Sequence, residues 1–206
     1  MPRANHRQRL LDGALECLRT KGYAHTTARD IAAAAGGNLG SIGYHYGSKD
    51  ALLNEALIEG FRGWTARISD RVRAIDAENP LQRLQLAWET VLEELGRDEA
   101  LLRAFLEALA PAGRSPELRA QLAGFYRETR DDVARVVAES IGDETSARVI
   151  ASLLIAVSDG LQLQWFLEPG EAPSAEAIGA AAALVLSMSP GGRASRGASA
   201  RSARPR

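Results

Sequence analysis

The sequence predicts an all-α protein, a small N-terminal helix-turn-helix unit followed by a larger helical body. Three observations carry that prediction. Apolar residues recur at i, i+3 and i+4 through almost every run between Gly and Pro, and no run shows convincing strand alternation. The chain is 46% apolar but only 5% aromatic, so its core must be built largely from Ala, Leu and Val, a composition that favours helices. Finally, S/T/N/D residues stand in front of the apolar runs where helix N-caps are needed.

Taken in order, residues 1–48 form the N-terminal unit, 49–189 the body and 190–206 a tail. Met1 to Asn5 is expected as a loose arm, with Arg3 and Arg7 within reach of phosphates. His6 to Lys21 is the first helix, its stripe made of Leu10, Leu11, Ala14, Leu15 and Leu18, and Gly22 ends it. Tyr23 is expected to lie over the core of this unit, and Cys17 to be a small buried hydrophobe. The second helix covers about Ala28 to Ala35. Thr27 and Asp30 have the spacing of a capping box, with Asp in place of the usual Glu.

The most informative element is the short helix from Leu39 to Tyr46. Gly36 and Gly37 supply the turn before it and Asn38 its N-cap. At about 100° per residue, Leu39, Ile42 and Tyr46 share one side, while Ser41, Tyr44 and His45 share the other. One side can hold the helix to a core, and the other offers a hydroxyl, a phenol and an imidazole to an external partner. Gly47 suits the helix end, and Ser48 caps a new helix beginning at Lys49. Two short helices joined by a glycine turn, the second with a polar outer face, form a helix-turn-helix whose second helix enters the DNA major groove.

The run TTARDIAAAAG followed by GSIGYHYGSKDALL resembles the N-terminal DNA-binding domain of the TetR family of bacterial transcriptional regulators, over roughly residues 5 to 55. The resemblance implies a three-helix DNA-binding head and an all-helical ligand-binding body. It also implies a homodimer that binds a palindromic operator in double-stranded DNA and leaves it when a small molecule binds. By position, Thr26, Thr27, Tyr44, His45 and Lys49 match places where the family touches phosphate or bases, and Ser41 matches a base-reading position. Arg29, in the first turn of the second helix, is a further candidate for phosphate. This chain departs from the family pattern at Gly43, where a tyrosine is usual, and carries Tyr44 beside it.

Charge supports the same division. The net charge of -1 conceals +4 over residues 1–49, -10 over 50–189 and +5 over 190–206. A basic head on an acidic body directs the duplex to one end of the molecule. The fourth helix is expected to start near Ser48 and run to about Ala77, joining head to body as one lever. Five further helical runs follow: Leu81 to Gly96, Asp98 to Leu109, Glu117 to Ile141, Thr145 to Leu167 and Ser174 to Met188. The last two are rich in small and aliphatic residues, and the resemblance makes them the homodimer interface. The tail has five arginines and no large apolar residue, so it is expected to be disordered, with or without a weak effect on DNA affinity.

Several function classes are disfavoured. All three histidines, His6, His25 and His45, lie in the head, and Cys17 is the only cysteine, so neither a metal site nor a cofactor is expected. No phosphate loop, nucleophile elbow or acid/base pair is recognisable, so an enzyme is a minor alternative. An architectural DNA-binding protein without an effector is the other. No apolar run is expected to reach the length of a membrane span, and no leader is recognisable, which fits a reducing cytoplasm. The effector is expected to be an apolar or aromatic small molecule, with Trp88, Phe105, Phe125, Tyr126 and Trp165 as candidate contacts. Arg103 is a candidate partner for an anionic group.

Overall fold

The computed structural model describes residues 3–188, which form nine helices and no strand among the described residues. Helices α1 (Arg3–Lys21), α2 (Ala28–Ala34) and α3 (Leu39–Tyr46) make the head. The body contains α4 (Lys49–Arg73), α5 (Pro80–Arg97), α6 (Glu99–Ala112), α7 (Pro116–Ile141), α8 (Glu144–Leu167) and α9 (Ala175–Ser187). The basic tail lies outside the described residues.

Local chemistry sets most boundaries. Thr27 and Asp30 form a complete reciprocal capping box at the start of α2. Asn38, Ser48, Asn79, Asp98, Ser115 and Asp143 each accept a backbone N–H at the start of the next helix. Helix α1 begins at Arg3, so the expected arm is already helical three residues before His6. Helix α4 stops at Arg73 rather than near Ala77. Asp76 and Glu78 would sit unfavourably at a helix C-terminus, and Pro80 forces Asn79 into extended backbone, where it caps α5. Helix α6 continues through Pro111 to Ala112, past its expected end. The Arg119 guanidinium donates to the carbonyls of Ala112 and Gly113 at 3.3 and 2.7 Å, satisfying acceptors freed there.

One contiguous cluster of buried side chains runs from Leu10, Leu18 and Ile31 in the head through Leu52, Leu57 and Phe61 of α4 to Leu101, Leu118 and Phe125 in the body. Tyr23 packs against it, and its phenol donates to the buried Asn54 Oδ1 at 2.6 Å. Around α4 lie α1, α5 and α7, while α8 lies along α7 and α9 along α5. Helix α8 is long and apolar enough to cross a membrane by length and composition, which corrects the expectation that no run reaches that length.

Two glycines show how the packing decides a substitution. Gly13 is where α1 crosses the end of α2, and a Cβ there would stand 2.9 Å from the Ala35 backbone nitrogen. Gly43, on the outer side of α3, would meet nothing within 4 Å. Both gain helix propensity on mutation to Ala, worth about 1 kcal/mol. Gly43→Ala is therefore expected to raise the free energy of unfolding, whereas Gly13→Ala should lower it by about 1–3 kcal/mol through overpacking against backbone. Equal effects in chemical denaturation would contradict this packing.

Candidate nucleic-acid interface and effector cleft

The outer side of the head is built on α3, and Ile42 is its one buried anchor. Tyr46 completes the attachment: it packs against the core, and its phenol donates to the Arg7 carbonyl at 2.8 Å. Leu39, expected on the core side, is 49% exposed. It sits in the first turn, where residues 36–40 are all exposed, beyond the reach of the head core.

The polar side appears as the spacing requires. Tyr44 is 68% exposed, and its ring meets His45 edge-on at 4.9 Å. His45 is half-buried, with the His6 ring 5.5 Å away, so α1 also holds α3 in place. Ser41 is half-buried and its hydroxyl donates to the capping Asn38 Oδ1 at 3.2 Å. A base contact from Ser41 must therefore share or exchange that bond.

The remaining candidates separate. Thr26 is only 2% exposed, and its hydroxyl donates to the Gly22 carbonyl at 2.7 Å. The Thr26 hydroxyl is thus used to fold the loop between α1 and α2 and does not face outward. Thr27 is exposed, but its hydroxyl serves the capping box. Lys49 is half-buried, paired with Asp50 at 3.0 Å, and donates to the Thr26 carbonyl at 3.4 Å, tying α4 to the start of α2. Arg7 pairs with Glu55 at 2.5 Å and lies over the Tyr46 ring. Arg29 is exposed and makes no ion pair among the described residues, which leaves it the most available head cation of these.

At the start of α2 the Asp30 carboxylate is held by Lys21 at 2.5 Å and by the Thr27 hydroxyl and N–H. The Lys21 ammonium, first, and then the Thr27 donors hold its pKa down to about 2. The Asp30 carboxylate thus places a negative charge in the first turn of α2.

The candidate effector residues do not form one site. Phe105, Phe125 and Tyr126 gather around Phe61, whose ring lies 4.5 Å from Phe105 and 5.9 Å from Phe125. Trp88 is buried elsewhere, its indole N–H donating to the Pro173 carbonyl at 3.3 Å. Trp165 only borders the core, and Arg103 is exposed on α6. Tyr126 donates to Asp159 on α8 at 2.9 Å, and burial followed by that carboxylate pushes the phenol pKa up.

A separate cleft opens beside the cluster, lined by Phe61 and Trp64 of α4, Leu101 and Leu102 of α6, and Asp98 and Gln162. The space between these side chains is too narrow to hold a water molecule. The candidate contacts legible in the sequence all lie from Trp88 onward, whereas two walls of this cleft belong to α4. The aromatic pair at Phe61 and Trp64, i and i+3 on one helix side, was the available signal.

Residues 10–56 match the family model for bacterial regulatory proteins of the tetR family, and residues 80–190 match that for the C-terminal part of BetI-type transcriptional repressors. The HTH-type transcriptional repressor DhaR from Mycobacterium sp. strain GP1 is 26% identical over 178 residues, covering 84% of this chain and 88% of that relative. A crystal structure from Pseudomonas aeruginosa PAO1, described as a transcriptional regulator, superimposes with a TM-score of 0.69 at 25% identity, covering 90% of each chain. The multidrug binding protein EbrR, complexed with imidazole, gives a TM-score of 0.65 at 28% identity, covering 85% of this chain and 91% of that one.

The Asp30 geometry makes a pH prediction. Its folded pKa lies below the ordinary 3.8, so its stabilising effect is complete above the unfolded value and disappears as pH falls through the folded one. Asp30→Ala is expected to be less stable than the unsubstituted chain at pH 7. Thermal melts between pH 7 and pH 2 should show that gap narrowing only below about pH 4, and a gap independent of pH would contradict the assignment.

Proposed function

The chain belongs to the TetR family of bacterial transcriptional regulators, and from that premise we propose that it is a homodimeric repressor that binds a palindromic operator and releases it on binding a small molecule. It acts in the cytoplasm, where its DNA is. The observation that carries the reading is the two-sided α3. Ile42 and Tyr46 fasten it to the head, while Tyr44 and His45 are turned outward with the hydrogen-bonding capacity to meet base edges and phosphates. Arg29 supplies an adjacent free cation.

Dimerisation is supported by apolar surface left open on α8 and α9. Val149, Leu153 and Val157 recur every four residues on α8, each more than half exposed. Ser152, Ala156 and Gly160 form a parallel exposed or half-exposed line of small residues that allows another helix to approach closely. Leu184 and Val185 on α9, and Met188 just past its end, are exposed by 62–70%. Two copies joined through these faces would bury the surface as a four-helix contact. They would also set the two α3 helices against half-sites one turn, about 34 Å, apart.

Release is supported by the placement of the cleft against α4, which starts in the head and ends in the body. A molecule that opened the cleft would displace Phe61 and Trp64, and with them the helix that determines the separation of the heads. That the structurally similar EbrR is a multidrug binding protein, solved with imidazole, supports a small-molecule effector here.

The decisive experiment is a footprint on the DNA flanking the gene, at two salt concentrations, with the mass of the complex measured by size exclusion. A protected palindrome carrying dimers is the expected result. Diffuse, salt-labile binding, with no site recovered from a random DNA library, would instead indicate an architectural protein. Arg29→Ala should weaken binding to all sequences and reduce the salt slope by about one. Ser41→Ala or Tyr44→Phe should change sequence preference, by about 1–3 kcal/mol at the affected base pair. Leu153→Glu should give a folded monomer in sedimentation and abolish the footprint; a dimer that still protected the operator would refute the α8 interface.

A further inference from the structure

Helix α3 cannot fix its own position. It has eight residues, Gly40 and Gly43 among them, and Ile42 is its only buried side chain. A helix of that length is unstable alone in water, so the elements packed on it set the angle at which it meets DNA. Part of that hold comes from the first turns of α1, through two separate attachments. Arg7 makes one: its carbonyl accepts the Tyr46 phenol at 2.8 Å, and its guanidinium lies over the Tyr46 ring while pairing with Glu55 of α4 at 2.5 Å. This fastens the end of α3 but involves none of the outward candidates Ser41, Tyr44 and His45.

His6 makes the other attachment, and it does involve them. Its ring stands 5.5 Å from the His45 ring, tilted by 51°, and the Tyr44 ring meets His45 edge-on at 4.9 Å. His6 is itself held. Arg9 Nη2 lies 2.7 Å from His6 Nδ1, and a guanidinium can only donate, so Nδ1 is the acceptor. The Cε1–Nε2 edge of the ring lies over the turn that leads into α3: a Cβ on Gly37 would stand 3.2 Å from Cε1 and 3.5 Å from Nε2. Gly37 is not among the glycines with positive φ, so what a side chain there would meet is the His6 ring. One imidazole on α1 thus touches both the turn that enters α3 and the histidine in its last turn.

We propose that His6 is a positioning residue for sequence reading: from outside the helix-turn-helix, its ring holds His45 in the orientation in which it meets the base edges. This rests on the operator-binding reading above and specifies how one of its contacts is aimed. A side chain ordered before binding loses less rotamer freedom on contact, and it cannot swing aside to accommodate a wrong base. Phosphates are alike along the duplex and tolerate a mobile partner, whereas base edges differ from pair to pair. Loss of the His6 ring therefore acts on discrimination between sequences and leaves non-specific affinity in place.

The test uses the full chain on the footprinted operator, on copies with each base pair changed in turn, and on random DNA, with affinity read by fluorescence anisotropy. His6→Ala should keep the helical circular-dichroism signal, because His6 is not part of the buried core. It is expected to bind random DNA as the unsubstituted chain does, yet to lose about tenfold of discrimination at the base pairs that also respond to His45→Ala. His6→Phe restores a ring and should regain most of that loss. Gly37→Ala displaces the ring while leaving both histidines intact; it should reproduce His6→Ala and add almost nothing to it in the double variant. Full discrimination in His6→Ala would overturn the inference, as would additive losses in the double variant or no base pair responding to His45→Ala. An equal loss on operator and random DNA would overturn it too, making His6 a phosphate contact instead. If the unsubstituted chain selects no site from a random library, the operator-binding reading fails and this inference with it. A defined site read equally well by His6→Ala removes this inference alone.

Discussion

The structure depends on the meeting of α1, α4 and α6 around Gly60. A Cβ at that position would lie 2.8 Å from Leu15 Cδ1 and 3.0 Å from Leu101 Cδ1, so the three helices meet closely enough that a methyl there would require those two leucine side chains to shift. Before it, Leu52, Leu53, Ala56 and Leu57 of α4 are buried against the head; after it, Phe61 and Trp64 turn to the body. A helix buried from Leu52 to Trp64, against the head on one side of Gly60 and the body on the other, cannot shift in one part without transmitting strain to the other, because close-packed interiors have little compressibility. Regulation at a distance can rest on this packing without any specialised hinge.

Ion pairs then decide which neighbours α4 follows. Arg62 pairs with Glu128 of α7 at 2.8 Å, and Arg67 pairs with Glu94 of α5 at 2.9 Å. Glu94 is 1% exposed, and burial alone would raise its pKa. The guanidinium groups of Arg67 and Arg97 outweigh that effect and hold it below the ordinary carboxylate range. A buried carboxylate with several cationic partners is sensitive to geometry, since removing one partner leaves its charge poorly compensated. The second half of α4 is therefore fastened to α5 and α7, while the Arg19–Asp98 pair fastens α1 to α6. The head is coupled to the body by two routes, one apolar and continuous, the other ionic and breakable.

The aromatic residues show where reading the sequence ran out. Phe105, Phe125 and Tyr126 do meet, because they lie on the inward sides of α6 and α7. Trp88 does not join them, since α5 turns that position toward the segment leading into α9. Arg103, a candidate partner for an anionic group, occupies the solvent side of α6. Asp98 could be recognised as a cap but not as a cleft residue, because its second role comes from Arg19, 79 positions earlier.

The sequence by itself determined what is encoded within a few residues: the nine helices, the capping box at Thr27 and Asp30, the Asn38 and Ser48 caps, and the two-sided chemistry of α3. These are fixed by helical periodicity and by hydrogen bonds between near neighbours, which a linear reading can follow. Tertiary structure alone decided that the Thr26 hydroxyl turns inward, that Lys49 is partly used in tying α2 to α4, and that α4 supplies two walls of the cleft. Each of those outcomes depends on which surfaces approach across long separations in sequence. Periodicity specifies that a helix has an apolar side, and only packing specifies what that side meets.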